Sequence, residues 1–385
     1  MKLGRSGRLC SAVTAVVATA TVVTSVAWVT QTASAVQSDQ PQWLTPPPEK
    51  VLRPVIGDTT FTVEAAAGTT LTWTGRGASC LKTSGSAAEC RVRDRSRGGR
   101  MAFIASRPDG SRSTTSTQVL DDVSFVSLGD SYASGEADPP FVTDEYDTTA
   151  NGCHRSATAA TRQLADRARV PAGGSTTFRH VACSGVTIPG LLAGSKGEPG
   201  QLARLAATPD VSLVTLSVGG NDVGVGKILT SCLPAAGCQE ALAQATRALA
   251  AMTTPLPEHG GISLLERTFR AVHEAAPHAH LAVTGYPMLF PPNDPQACAP
   301  LGKPATDLIN AITLELNRRT ELIAQKVPGT TFVDLVEPFA GHAACEQVPA
   351  RRWLTYVDPV NPTYSLHPNA RGQAEIRRAL EDALS

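Results

Sequence analysis

The hydrophobic pattern of this chain changes texture near residue 122. Before that point short runs alternate, as in Thr60-Phe61-Thr62-Val63 and Thr70-Leu71-Thr72-Trp73, with a third run at Met101-Ala102-Phe103-Ile104 and glycine-bearing turns between them. Alternation with period two puts apolar side chains on one face of a strand, so residues 51–121 read as a small all-β, sandwich-like domain. After residue 122 the strand-like runs no longer alternate strictly: Val123–Leu128, Thr176–Ala182, Val211–Leu216, Leu281–Thr284 and Thr331–Val336. Helices are expected between them, near 155–169, 239–253, 262–276, 304–326 and 369–383. Strands alternating with helices predict a parallel sheet covered on both faces, an α/β domain over residues 122–385. Ligands of such sheets lie beyond the carboxyl ends of the strands. The residues that follow each apolar run therefore matter most.

The start of the chain bears on compartment. Lys2, Arg5 and Arg8 precede an apolar stretch from Leu9 to Val29, and Ala33-Ser34-Ala35 follows. This is the order of a secretory signal over residues 1–35 with cleavage near Ala35, and it predicts a secreted protein; the length of the apolar stretch leaves an uncleaved anchor as the other reading. Residues 36–50, with Pro41 and Pro46-Pro47-Pro48, read as an extended linker.

The full chain has 34 Lys+Arg against 34 Asp+Glu. Removing residues 1–35 takes away three basic residues and no acidic ones, which leaves 31 against 34, a charge of −3. A nucleic-acid partner is not expected without a basic excess. One local exception is the run Arg91, Arg93, Arg95, Arg97 and Arg100, opposed by Asp94. It fits contact with an anionic cell-wall polymer or membrane surface, or simply arginines alternating outward on a strand. Eight of the nine cysteines lie after the signal, an even number that in an exported chain argues for disulfides, and no C-x-x-C pair suggests zinc or a redox site. The pairing is open on spacing alone. The acidic stretch 136–147 is either a lid or a solvated loop.

The strand ends carry the chemistry. The first run ends in Gly129-Asp130-Ser131-Tyr132-Ala133-Ser134-Gly135, the second in Cys183-Ser184-Gly185, and the third in Gly219-Gly220-Asn221-Asp222. They supply a hydroxyl, a main-chain N–H beside a glycine, and a side-chain amide, which is the set that ester cleavage uses. Near the end, His367-Pro368-Asn369 offers an imidazole at the mouth of the last helix, suited to move the serine proton near neutral pH. Each segment by itself reads equally as a turn or a helix cap.

Together, in this order, the four segments resemble the blocks of the SGNH (GDSL) hydrolase family, and most of all its secreted actinobacterial esterases and lipases. The resemblance covers roughly residues 122–385. It implies a flavodoxin-like three-layer fold with Ser131 as nucleophile and His367 as base. It also implies an oxyanion hole from the N–H groups of Ser131 and Gly185 and the amide of Asn221. The family's frequent aspartate three residues before the histidine is Tyr364 here. The resemblance then implies a main-chain carbonyl, of Ser365 or Tyr364, behind His367, with Asp358 as the alternative carboxylate. A sheet ordered 2-1-3-4-5 would bring together Cys153 with Cys183 and Cys298 with Cys345, with Cys232–Cys238 closing a small loop and Cys80–Cys90 stapling the β domain. The expected protein is a monomeric carboxylic ester hydrolase acting on acyl or lipid esters, without metal or cofactor. Carbohydrate O-acetyl esters, or a surface-binding protein with the hydrolase domain as scaffold, are the alternatives.

Overall fold

Strand-forming residues between positions 43 and 119 fold into two four-stranded sheets. In the computed structural model, which describes residues 40–143, 151–232, 238–292, 298 and 301–385, these strands are β1 (Trp43–Thr45), β2 (Lys50–Val51), β3 (Asp58–Ala65), β4 (Thr70–Gly75), β5 (Ser79–Lys82), β6 (Ala87–Arg93), β7 (Gly99–Ser106) and β8 (Arg112–Val119). One sheet is ordered β1-β3-β6-β5 and the other β2-β8-β7-β4. Val63, Leu71, Ala88, Met101 and Phe103 are buried together between them. The signal segment 1–35 and the loop acids Asp144, Glu145 and Asp147 lie outside the described residues.

The proline-bearing stretch read as a linker is extended, but it does not hang free. Trp43–Thr45 pairs antiparallel with β3 and Lys50–Val51 pairs parallel with β8. Prolines flank both short strands, which suits sheet edges where a donor can be spared. All five arginines of the basic run are exposed, while Val92 between two of them is fully buried. The alternation along β6 thus points the charges outward.

The second half builds the expected layers. In chain order its elements are β9 (Val123–Gly129), α1 (Ser131–Ser134), α2 (Ala160–Asp166), β10 (Thr176–His180), α3 (Ile188–Ala193), α4 (Gln201–Ala206), β11 (Leu213–Ser217), α5 (Gly220–Val223), α6 (Val225–Ser231), α7 (Cys238–Thr253), α8 (Leu264–Ala275), β12 (His280–Thr284), α9 (Lys303–Ala324), β13 (Thr330–Val333) and α10 (Ala370–Leu384). The sheet is ordered β10-β9-β11-β12-β13 with all four pairings parallel, the 2-1-3-4-5 order. Every residue of β9 and β11 is buried. Strands covered by helices on both faces are rich in apolar residues with only small hydroxyl side chains between them, and burying each large apolar side chain contributes about 1.5–3 kcal/mol. Two elements are shorter than the pattern suggests. The helix expected over 155–169 covers only Ala160–Asp166, because Arg155 and Ser156 serve the loop before it. The last strand stops at Val333, where the Asp334 carboxylate accepts the N–H groups of Val336 and Glu337 and turns the chain.

Residues 40–385 form one compact unit, so contacts do not separate the two strand-rich sheets from the α/β layers. Val55 belongs to the α/β core. The buried Arg53 donates to the carbonyl of Asp94, and Lys50 pairs with Asp210. The cysteines are bonded as Cys80–Cys90, Cys153–Cys183, Cys232–Cys238 and Cys298–Cys345. Among the described residues no helix is long and apolar enough to cross a membrane.

Candidate active site

At the end of β9 the chain must turn without colliding with its neighbour. Gly129 has φ +125°, and a Cβ there would lie 2.4 Å from the carbonyl oxygen of Ser217 on β11. Only glycine fits. On the side away from β11, where the β10 pairing has ended at Ser127, the Gln201 side chain accepts the Gly129 N–H at 2.7 Å and donates to its carbonyl at 2.9 Å. Asp130 then caps α1 by accepting the Tyr132 N–H at 3.0 Å.

Asp130 is buried, and burial pushes its carboxyl pKa up, opposed by hydrogen bonds from Tyr286, Ser217 and Tyr132. Its Oδ1 accepts the Ser217 hydroxyl at 2.7 Å and its Oδ2 accepts the Tyr286 hydroxyl. The same Tyr286 oxygen accepts the Gly220 N–H at 3.1 Å. Asp130 and Tyr286 therefore tie the turn after β9 to the start of α5. Tyr286 is held in turn by Asn317 of α9, whose amide accepts its N–H at 2.9 Å and donates to its carbonyl at 2.7 Å.

Ser131 opens α1, and its Oγ lies 2.7 Å from His367 Nε2. The imidazole arrives on a loop folded back by two main-chain bonds, Thr355 N–H to the His367 carbonyl and Leu366 N–H to the Thr355 carbonyl. Asn369 caps α10 just beyond, accepting the N–H groups of Arg371 and Gly372. Burial lowers the His367 pKa, opposed by the Glu136 charge and by the main-chain carbonyls of Ser365 and Thr363. His367 Nδ1 is buried, with the Ser365 and Thr363 carbonyls close enough to favour its protonation but no hydrogen bond of normal geometry.

This corrects part of the sequence reading. The Tyr364 carbonyl accepts the His367 main-chain N–H at 3.1 Å, because the two residues share a tight turn, and so does not serve the ring. Ser365 remains one of the two carbonyls that favour the protonated ring. Asp358 is not brought to the imidazole. Its Oδ1 accepts the N–H groups of Val360 and Asn361 and stiffens the loop.

The three oxyanion candidates behave differently. Neither Ser131 N–H nor Gly185 N–H has a main-chain acceptor among the described residues. Gly185 is exposed with φ +80°, and the adjacent Cys183 N–H donates to the Gly129 carbonyl at 2.9 Å, which keeps this segment beside the turn. Asn221 donates one amide hydrogen to the Val186 carbonyl at 2.8 Å, which orients the amide and leaves its second hydrogen for a ligand. The neighbouring Asp222, its pKa raised to about 6 by burial, accepts the Ile188 N–H. It braces the second segment against the third.

Ser131 and His367 open onto a chamber of about 150 Å³ whose far wall is Val225, Leu229, Leu289 and Leu316. A larger cleft of about 600 Å³ lies between the strand sheets and the chain's end. Its serines, Ser212 and Ser385, donate to the carbonyls of Ser124 and Glu381 and not to a histidine. Sequence reasoning missed Gln201, Ser217 and Glu136. Their contacts are long-range and leave no local motif. Glu136 and Asp138 also depart from the solvated-loop reading, since both are buried. Tyr286 both lines the chamber and anchors its loop through Asp130 and Gly220.

An apolar chamber with a serine–histidine pair at its mouth, on a 2-1-3-4-5 parallel sheet, defines a class of hydrolytic α/β proteins. The family model described as "GDSL-like Lipase/Acylhydrolase family" matches residues 127–375, and the chain belongs to that family. It is 32% identical to "Lipase 1" of Streptomyces coelicolor over 252 residues, 65% of this chain and 82% of the relative. It is 30% identical to "Lipase" of Streptomyces rimosus over 267 residues, 69% of this chain and 88% of the relative. Among solved structures it is similar to the extracellular lipase from Streptomyces rimosus, at 29% identity and TM-score 0.53, covering 68% of this chain and 99% of that one. It is also similar to phospholipase A1 from Streptomyces albidoflavus NA297, at 26% identity and TM-score 0.52, with the same coverage. The protein is a carboxylic ester hydrolase.

Proposed function

We propose that the protein is an exported serine esterase that cleaves acyl or lipid esters through a Ser131–His367 dyad. The observation that carries this is the 2.7 Å contact between Ser131 Oγ and His367 Nε2 at the mouth of an apolar chamber. In the proposed reaction His367 Nε2 takes the Ser131 proton as Oγ attacks the ester carbonyl carbon. The carbonyl oxygen becomes negative and is met by the N–H groups of Ser131 and Gly185 and the Asn221 amide. As the tetrahedral adduct collapses, the imidazolium returns its proton to the departing alcohol. Water, activated by the same imidazole, then hydrolyses the acyl-enzyme and restores Ser131.

The lipase names of the relatives and the apolar chamber wall support acyl esters as the substrate class. The amino-terminal basic, apolar and Ala33-Ser34-Ala35 pattern supports export with cleavage near Ala35. Residues 51–121 are proposed as a small β domain that acts with the enzyme as a monomer and meets anionic wall or membrane surfaces through its exposed arginines. The test of the catalytic reading is Ser131→Ala: p-nitrophenyl ester turnover is expected to vanish with the circular dichroism unchanged. Retained turnover would overturn it.

A further inference from the structure

The proposed dyad leaves one feature of the site without a role. No carboxylate touches His367, yet a buried one stands behind the nucleophile. Glu136 is 1% exposed. Its main-chain N–H donates to the carbonyl of Ser131 at 3.1 Å, so it sits directly beneath the turn that presents the nucleophile. Both of its carboxylate oxygens face His154 Nδ1, at 2.8 and 2.9 Å. His154 is a non-glycine residue held at φ +51°, next to the Cys153–Cys183 bond, and Phe141 stacks on its ring at 4.6 Å. Phe141 in turn meets Tyr364 edge-on at 6.0 Å. Tyr364 occupies the position where a carboxylate would stand three residues before His367, and a phenol there cannot balance an imidazolium.

We propose that Glu136 is a positioning residue that supplies, through space, the negative charge the dyad lacks. Held by His154 beneath the Ser131 turn, it stabilises the His367 imidazolium that forms as Ser131 attacks. A buried charge acts over a longer distance than an exposed one, because little water screens it. Burial lowers the His367 pKa overall, and Glu136 is the largest influence opposing it.

The other groups around this pair do not replace it. Asp130 is committed to Ser217, Tyr286 and the Tyr132 N–H. Asp138 accepts from Thr158, and Asp222 from the Ile188 N–H. Asp358 caps its own loop. The phenols of Tyr132, Tyr286 and Tyr364 all have raised pKa values and stay neutral in the working range.

The inference rests on the dyad reading, and the experiment separates the two. The full-length enzyme and its Glu136→Gln and Glu136→Asp variants are compared by the pH dependence of kcat/KM on p-nitrophenyl butyrate. In Glu136→Gln the acid limb is expected to move down by about one pH unit, with kcat about tenfold lower and KM little changed. Glu136→Asp keeps the charge and is expected to restore most of the limb. A merely structural role would lower the rate or the yield without moving the limb. If Glu136→Gln does not fold, His154→Gln decides: it keeps a donor to Glu136 but removes the basic ring, so the limb should stay at or above the wild-type position. A Glu136→Gln limb that coincides with wild type, or a His154→Gln limb that falls, would overturn the inference. Turnover by Ser131→Ala would instead overturn the dyad itself.

Discussion

The Tyr132 hydroxyl donates to the main-chain carbonyl of Leu366 at 2.8 Å, across 234 residues of sequence. It joins the residue after the proposed nucleophile to the residue before the proposed base. Leu366 is held at φ +63°, a conformation that L side chains seldom adopt, so the bond steadies a strained point in the loop. The Tyr132 ring also lies 5.5 Å from the His367 ring, and α10 reaches the same residue through Gln373, which donates to the Tyr132 carbonyl.

Removing that hydroxyl with Tyr132→Phe leaves a buried carbonyl without a partner. The expected cost is about 1–3 kcal/mol of stability, read as a lower thermal midpoint. Turnover should also fall, because the His367 loop loses its tie to the Ser131 turn. An unchanged midpoint with unchanged kcat would show that the bond does not fix the loop.

The pH profile follows from the direction of the His367 shift. A base works in its neutral form, and burial lowers its pKa more than Glu136 and the carbonyls of Ser365 and Thr363 raise it. The neutral fraction is therefore complete at a lower pH than for a free imidazole. Activity should rise with pH and level off, with an apparent pKa for kcat/KM below about 6.5. A limb above that value would mean that opposing charge outweighs burial.

Asp358→Asn is expected to leave kcat within about threefold of wild type, since the carboxylate serves its own turn through Val360 and Asn361 rather than the imidazole. The loop itself should loosen slightly, which a thermal melt would register. A loss of several orders of magnitude would bring back a conventional triad.

Leu316 forms part of the chamber wall and is 1% exposed. Leu316→Ala should destabilise the fold by about 2–5 kcal/mol, because the surrounding helices close the gap only in part. It should also shift kcat/KM toward longer acyl chains across a p-nitrophenyl ester series. If the chain-length profile does not move, the acyl group lies elsewhere.

Tertiary structure changed the meaning of several residues read earlier as local features. The acidic stretch beginning at Glu136 resembles a solvated loop in sequence, because charge runs normally face water. In the fold Glu136 and Asp138 are buried, held by His154 and Thr158. Tyr286 follows β12, and only packing reveals its hydroxyl shared between Asp130 and Gly220. The proline-bearing segment before residue 50 was legible as extended, but not as sheet edge, since edge pairing depends on which distant strands are left open.

By itself the sequence determined the parallel α/β sheet, its five strands and the four segments that end at one edge. Those features are written in local periodicity and in residue types with few conformational options, such as Gly129 after a buried strand. Tertiary structure alone decided what stands around the proposed base. His367 faces Ser131 across 236 residues, and its pKa is set by burial, by carbonyls and by a carboxylate from a separate loop. Electrostatics in a buried site depends on distance and desolvation, which sequence spacing does not encode.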